Sequence, residues 1–252
     1  MKLLRNGLLN IILIWICFAV PSLKLFSQPK FENLTLRDGL PSNKVYSCLK
    51  DARGFIWFAT DNGICRYDGI AFQVFNEKSK CGLTENIFYK VFEKSKDEIL
   101  FISFEGILYL YNYSTGKFTN INNQSDSLRD KRFTNFYQDK KNQYWFSTDR
   151  GLIKTDLNFN LIAEYKIKDK PKGPATDNVV LVICEDKKGF LWLGMSGRAV
   201  MRFNPSTGIF SQRELLKTLP KYQQVRSIIN DLNPDYIFIA TGGEGLYRVN
   251  IN

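Results

Sequence analysis

Residues 51–69 read DARGFIWFATDNGICRYDG and bring Asp51, Asp61 and Asp68 close in sequence to Trp57, Cys65, Arg66 and Tyr67. Such a set could do chemistry in two ways. Paired carboxylates could act as acid and base on a glycosidic bond, or a tyrosine beside an acid and a cluster of arginines could attack a sugar. The same residues could equally be scaffold, with turn formers at fixed places and one large anchor in a core. The 252-residue chain contains no histidine. That excludes Ser/His/Asp and Cys/His nucleophiles, histidine-ligated zinc or iron, and a phospho-accepting histidine. No cofactor or metal site is expected.

The elements that must position these residues follow from composition and repetition. At 44% hydrophobic and 14% aromatic the chain is too apolar to be disordered, and its aromatic load with short Gly, Asn and Asp clusters favours sheet. The N-terminus has basic Lys2 and Arg5, an apolar run from about Leu8 to Val20, and Pro21. This has the form of a secretory signal, too short to span a membrane, so residues 1–27 are expected to be a signal peptide and the product periplasmic. Cleavage fits after Ser22 or Ser27, and Ile16 before Cys17 argues against lipidation. Without residues 1–27 the net charge falls from +10 to +7, carried by lysines in polar loops such as KIKDKPKG at 166–173. A solvated surface accounts for it, and no nucleic-acid partner is expected. Cys48, Cys65, Cys81 and Cys184 match no metal spacing and sit in apolar segments, which predicts free, buried thiols, with one disulfide as the alternative.

The chain repeats itself. WFATDNGI at 57–64, LFISFEGI at 100–107, WFSTDRGL at 145–152, WLGMSGRA at 192–199 and FIATGGEGL at 238–246 align, with anchors Trp57, Leu100, Trp145, Trp192 and Phe238 separated by 43, 45, 47 and 46 residues. Before three anchors stands a second repeat, DARGFIW at 51–57, DKKNQYW at 139–145 and DKKGFLW at 186–192. Asp at its start bonds the backbone of a turn, and Gly54, Asn142 or Gly189 three residues before Trp takes a left-handed conformation. Later turns recur at Asp68 and Gly69, and in NYSTGKF at 112–118 and NPSTGIF at 204–210.

Within each copy the strands come in fours with short connections. The fold expected is therefore all-β, a β-propeller of four-stranded antiparallel blades with five repeats visible, forming a closed five-bladed ring or part of a larger propeller. Residues 28–252 would hold approximate blades 38–80, 81–125, 126–175, 176–220 and 221–252. A strand at 31–36 would complete the last blade and hide two sheet edges.

The run LTLRDGLPSNKVYSCLKDARGFIWFATDNGICRYDGIAFQVF, 34–75, resembles the opening of the two-component regulator propeller repeats. Asp38, Gly39, Leu40, Asn43, Asp51, Gly54, Trp57, Gly63, Arg66, Tyr67, Asp68 and Gly69 carry the likeness. The resemblance implies the periplasmic sensor region of a hybrid two-component system or sensor histidine kinase. In such proteins the propellers are often seven-bladed and paired, a β-sandwich, a membrane helix and a kinase follow, and many are thought to detect oligosaccharides. Here only five repeats are present, with no second hydrophobic segment. The chain is expected to be an N-terminal portion or truncated form of such a sensor, or a free-standing five-bladed relative.

The leading functional reading is a ligand-sensing propeller with no catalytic residues of its own, its partners a small-molecule or oligosaccharide ligand and either another copy or a downstream sensor region. A non-catalytic scaffold for envelope proteins is the second reading and a propeller glycosidase or lyase the third. Against the enzyme, Arg66, Arg150, Arg198, Arg202, Arg226 and Arg248 are scattered, and Arg66, Arg202 and Arg248 recur in register. Ligand residues stay unassigned. Two loops break the repeat, GMSGRA near Arg198 and GGEG near Glu244, and drift in loop length explains them as well as function does.

Overall fold

A carboxylate with two oxygens organises the turn at the start of each regular repeat. In the computed structural model, which describes residues 31–167, 179–197, 200–211 and 224–251, Asp51 Oδ1 accepts the backbone N–H groups of Arg53 and Phe55, both at 3.0 Å. Its Oδ2 accepts the indole Nε1–H of Trp57 at 2.7 Å. Asp139 does the same for Lys141, Gln143 and Trp145, and Asp186 for Lys188, Phe190 and Trp192. The third turn position requires positive φ, and Gly54 (+92°), Asn142 (+56°) and Gly189 (+80°) all supply it. All three indoles are fully buried, and the carboxylate satisfies the one polar atom that burial would otherwise strand.

These turns join the first two strands of antiparallel sheets. Blade one comprises β1 (Val45–Lys50), β2 (Ile56–Thr60), β3 (Gly63–Tyr67) and β4 (Phe72–Phe75). Blade two has β5 (Phe88–Ser95), β6 (Glu98–Ser103), β7 (Leu108–Asn112) and β8 (Lys117–Asn120). Blade three has β9 (Phe133–Gln138), β10 (Tyr144–Thr148), β11 (Gly151–Thr155) and β12 (Leu161–Lys166), and blade four β13 (Val180–Glu185), β14 (Leu191–Met195), β15 (Val200–Asn204) and β16 (Ile209–Ser211). Blade five shows three strands among the described residues, β17 (Val225–Asn230), β18 (Tyr236–Thr241) and β19 (Leu246–Asn250). Every sheet runs in sequence order, as expected of propeller blades. All the strands lie in the unit Thr35–Asn252.

Alternation along the strands gives every blade two faces. The front face carries the anchor and packs on the next blade; the rear face carries the anchor's neighbours and packs on the preceding one. Trp57, Ala59, Ile64 and Phe75 thus meet Ile99, Phe101, Tyr109 and Tyr111 of blade two. Leu100, Ile102 and Leu108 meet Phe133, Phe136, Tyr144 and Phe146 of blade three. Trp145 and Leu152 meet Leu191, Leu193 and Phe203, and Trp192 and Val200 meet Ile237 and Ile239. First strands of neighbouring blades touch, β1 with β5, β9 with β13 and β13 with β17, which places them innermost.

Two blades depart from the rule. In blade two the turn is reduced to Lys96 and Asp97, Leu100 replaces Trp, and Lys94 at the Asp position pairs with Glu98 at 2.5 Å. In blade five the anchor Phe238 has no N–H to give, and the second oxygen of Asp231 accepts Arg248 Nε instead, at 2.5 Å. The Arg248 hydrogen bond, helped by backbone N–H groups, holds the Asp231 carboxyl below the usual carboxylate range.

Two expectations need correction. No strand forms over 31–36: residues 31–35 are irregular and Leu36–Asp38 is a 3-10 helix. Thr35 and Asp38 close a reciprocal capping box around it, and Asn43 Oδ1 accepts the Leu36 N–H, so the local polar groups are satisfied without a sheet partner. The four cysteines Cys48, Cys65, Cys81 and Cys184 are free, but Cys48 is exposed, because β1 is exposed or only half-buried along its whole length. The signal-peptide residues 1–27 lie outside the described residues.

Truncating Trp192 to Ala should cost about 3–5 kcal/mol in urea unfolding. Asp186→Asn turns an N–H donor toward the indole in place of an acceptor and should cost about 1–3 kcal/mol with the sheet intact by circular dichroism. Asp231 has a folded pKa below its unfolded value of about 3.9. Its contribution is full above that value and is lost as pH falls through the lower folded one. Protection factors of the β19 amides should therefore fall in acid, and Arg248→Gln should remove that acid dependence.

Candidate functional site

Most of the residues that looked reactive are consumed by the scaffold. Asp51 is tied to its turn and to Trp57, and also accepts a hydrogen bond from Tyr113 Oη of blade two. Asp68 Oδ1 accepts the N–H groups of Ile70 and Ala71, which hold its carboxyl below the ordinary range, and Tyr67 Oη donates to Gly69 O at 2.9 Å. Burial pushes the Cys65 thiol up to about 12, so it stays protonated and unreactive at neutral pH.

The recurring arginines are not brought together. Arg66 lies over Phe55 with its guanidinium carbon 4.4 Å from the ring centre, Arg202 over Phe190 at 4.3 Å and Arg248 over Tyr236 at 4.0 Å. Each covers the aromatic two residues before its anchor, a cation–π contact that shields one edge of the blade. In blade three Lys154 sits 4.9 Å over Trp145. Arg150 stands at the β10–β11 turn and Arg226 within β17, and Arg198 lies outside the described residues. GGEG adds one residue to a turn seen elsewhere. Thr60 and Thr148 donate to the oxygens of Gly63 and Gly151, three residues on, whereas Thr241 donates to Gly245, four residues on.

A cavity of about 450 Å³ opens where the β2–β3 turn of blade one, the β6–β7 turn of blade two and the connection into β5 meet. Residues 86 and 87 lead into an innermost strand, so the cavity lies at an axial end of the blades. Its frame is backbone: Gly63 N–H donates to Asn86 O at 2.5 Å and Phe104 N–H to Ile87 O at 2.8 Å. Side chains brace the frame as well. Asn62 Nδ2 donates to Pro41 O at 3.0 Å, and Asn86 Oδ1 accepts the Glu77 N–H at 3.1 Å.

Asp61, Glu85 and Glu105 bring three carboxylates to this cavity, and Asn62, Asn86, Ile87 and Phe104 complete its lining. Glu105 is shared with Arg132 at 3.3 Å. The ring of Phe104 is 61% exposed. A flat apolar face beside hydrogen-bond acceptors can stack on a ring and receive hydroxyl hydrogens, the mixture typical of small-molecule clefts. Among the described residues no group of histidine, cysteine and acidic side chains could hold a metal.

The repeat pattern does not single out this site. One signal was available: Phe104 stands where the first and third copies have Asp61 and Asp149. At the opposite, Asp-turn end, Lys140, Lys141, Lys154, Lys187 and Lys188 border a cavity of about 400 Å³ between blades three and four. Lys187 is paired with Asp235 and Lys154 with Trp145, leaving a basic but largely solvated face.

Residues 39–62 and 174–197 match the two-component regulator propeller family. These segments contain the Asp turns of blades one and four, so two of the chain's repeats are similar to that family's. No curated protein matches the chain. Among solved structures it is similar to the extracellular domain of BT4673 from B. thetaiotaomicron, described as a one-component system, at 17% identity and TM-score 0.70, covering 88% of this chain and 32% of that one. The extracellular domain of the hybrid two-component system BT3049 from the same organism aligns at 22% identity and TM-score 0.55, over 87% of this chain and 35% of the other. The WD40 β-propeller domain of Doa1 aligns at 12% identity and TM-score 0.56, over 81% and 62%. These likenesses show the β-propeller fold, and the chain spans about a third of the length of the two extracellular domains.

Thiol exposure gives a direct check on the consumed residues. Of Cys48, Cys65, Cys81 and Cys184, native-state alkylation followed by peptide mass mapping should modify Cys48 first, with the other three reacting only after denaturation.

Proposed function

We propose that this chain, which carries repeats similar to those of the two-component regulator propeller family, is the ligand-sensing part of an exported signalling receptor, acting in the periplasm. Its ligand is an oligosaccharide bound in the cavity lined by Asp61, Asn62, Glu85 and Phe104. The observation that carries the ligand class is the exposed Phe104 ring beside carboxylate acceptors, the pairing a sugar needs for one apolar face and several hydroxyl donors. The location rests on the leader-like residues 1–27. Among the described residues no helix is long and apolar enough to cross a membrane. With no histidine in the sequence, the phosphate chemistry of such a receptor belongs to polypeptide outside these 252 residues, in keeping with an N-terminal portion or truncated form.

The test is calorimetric titration with a panel of neutral and acidic oligosaccharides. At least one neutral glycan should bind, and Phe104→Ala should weaken it at least about tenfold, or about 1.4 kcal/mol, without shifting the melting temperature. Binding unaffected by Phe104→Ala, or no glycan binding at all, would sink this reading and leave the envelope scaffold as the better one.

A further inference from the structure

Three blades carry the aspartate–indole clamp, and in two of them the residue after the third strand of the next blade covers it. Tyr113 follows β7 and closes the clamp of blade one: its hydroxyl donates to Asp51 Oδ2 and accepts the Trp57 Nε1–H at 3.2 Å. Its ring meets the indole edge-on with centroids 6.0 Å apart, and the Arg53 guanidinium lies 4.1 Å over it. Ile251 follows β19 at the corresponding place, is buried, and packs in one cluster with Trp192 of blade four. Both residues are drawn in through the backbone, Tyr113 N–H donating to Asp97 O at 3.0 Å and Ile251 N–H to Asp235 O at 2.8 Å. Asp51 and Asp186 beneath them are accordingly buried.

The clamp of blade three is covered differently. After β15 the turn NPSTGIF repeats NYSTGKF bond for bond. Asn204 Oδ1 accepts the Ser206 N–H at 2.9 Å as Asn112 Oδ1 accepts that of Ser114, and Gly208 N–H donates to Asn204 O at 2.8 Å as Gly116 N–H does to Asn112 O at 2.9 Å. Pro205, however, stands where Tyr113 stands. Proline has no N–H to draw it inward, and its side chain is too short to reach the aspartate. Asp139 is only half-buried, and among the described residues its Oδ2 accepts Trp145 Nε1–H alone, at 2.9 Å. The place that Tyr113 fills in the first clamp is here part of the cavity of about 400 Å³ bordered by Asp139, Trp145, Leu191 and Pro205. Lys141 holds the position of Arg53 in the turn, and Lys154 that of Arg66 opposite the indole. Lys187 is paired with Asp235, whereas Lys140, Lys141 and Lys188 have no carboxylate partner among the described residues.

We propose that this cavity binds a small phenolic acid. The ring takes the place beside Trp145 and Lys141 that the Tyr113 ring takes beside Trp57 and Arg53, and the phenol hydroxyl donates to Asp139 Oδ2 as Tyr113 Oη donates to Asp51 Oδ2. The fold thus contains its own filled copy of the site, and the filling group is a hydroxyphenyl ring with a cation over its face. The acid group follows from charge. Five lysines border the cavity against two carboxylates, and of these Asp139 is held by its turn and Glu185 accepts Tyr137 Oη. An anion is drawn to Lys141 and Lys188, whose ammonium groups are open to it. The site lies at the opposite end of the blades from Phe104, and the inference does not rest on the oligosaccharide reading.

Calorimetric titration of the full chain with para-hydroxyphenylpropionate tests it, beside phenylpropionate, which lacks the hydroxyl, and para-ethylphenol, which lacks the acid. The first should bind saturably, and each of the other two at least about tenfold more weakly. Pro205→Tyr supplies the ring from within the chain and should abolish binding. The double variant Lys141→Gln, Lys188→Gln changes two exposed side chains, so its melting temperature should match the parent while the acid binds at least about tenfold more weakly; it reads the same site even where Pro205→Tyr disturbs the fold. No saturable binding of para-hydroxyphenylpropionate would overturn the proposal, as would equal binding of phenylpropionate, or binding that persists in a folded Pro205→Tyr protein or is unchanged in the double variant.

Discussion

The hydrogen bond between an aspartate and an indole six residues later is the contact on which the blades depend. A carboxylate has acceptors enough for a turn and one thing more, and here the extra acceptor holds the largest side chain of the blade in place. The turn fixes where the second strand starts, and the indole, oriented by the same carboxylate, fixes which face of that strand meets the next blade. Asp51, Asp139 and Asp186 repeat the arrangement within 0.2 Å at the indole nitrogen. Where the indole is missing the second oxygen is not left idle: Asp231 takes Arg248. Blade two, lacking both partners, has a two-residue turn and its own Lys94–Glu98 pair.

Links between blades grow from the same region. Tyr113 of blade two reaches the Asp51 carboxylate of blade one, and Glu93 accepts the Ala52 N–H at 2.7 Å. Tyr137 of blade three donates to Glu185 of blade four at 2.5 Å, and Asn230 of blade five to the Glu185 backbone oxygen at 2.9 Å. Burial and the neighbouring carboxylate push the Tyr137 hydroxyl well above the usual phenol range, so it stays protonated and donates at neutral pH. Polar contacts thus fix the register between sheets whose apolar faces would tolerate sliding.

Most of this architecture was legible in the sequence because the constraints were local and repeated. Positive φ at one turn position admits Gly or Asn, and the appearance of Asn142 where other copies have Gly reveals that dihedral from the residue types alone. Arg66, Arg202 and Arg248 were legible as structural for the same reason, though not that each would lie over an aromatic ring. The cavity at Phe104 was hidden because its walls come from residues 61, 85 and 104, joined only by blade-to-blade packing. The segment before blade one misled: its alternating residues suit a strand, but Thr35 and Asp38 cap each other and end the extended run. Cys48 was expected inside because its strand is apolar, but every residue of β1 is exposed or half-buried.

An array in which each sheet leans only on its neighbours is a one-dimensional cooperative system, with stability distributed as unit terms plus coupling terms. Interior units have two couplings and end units one. Blade five lacks the indole clamp of blades one, three and four, so its opening free energy should be lower than theirs. The Asp231–Arg248 contact is then that blade's own brake on opening, a polar latch standing in for the missing indole.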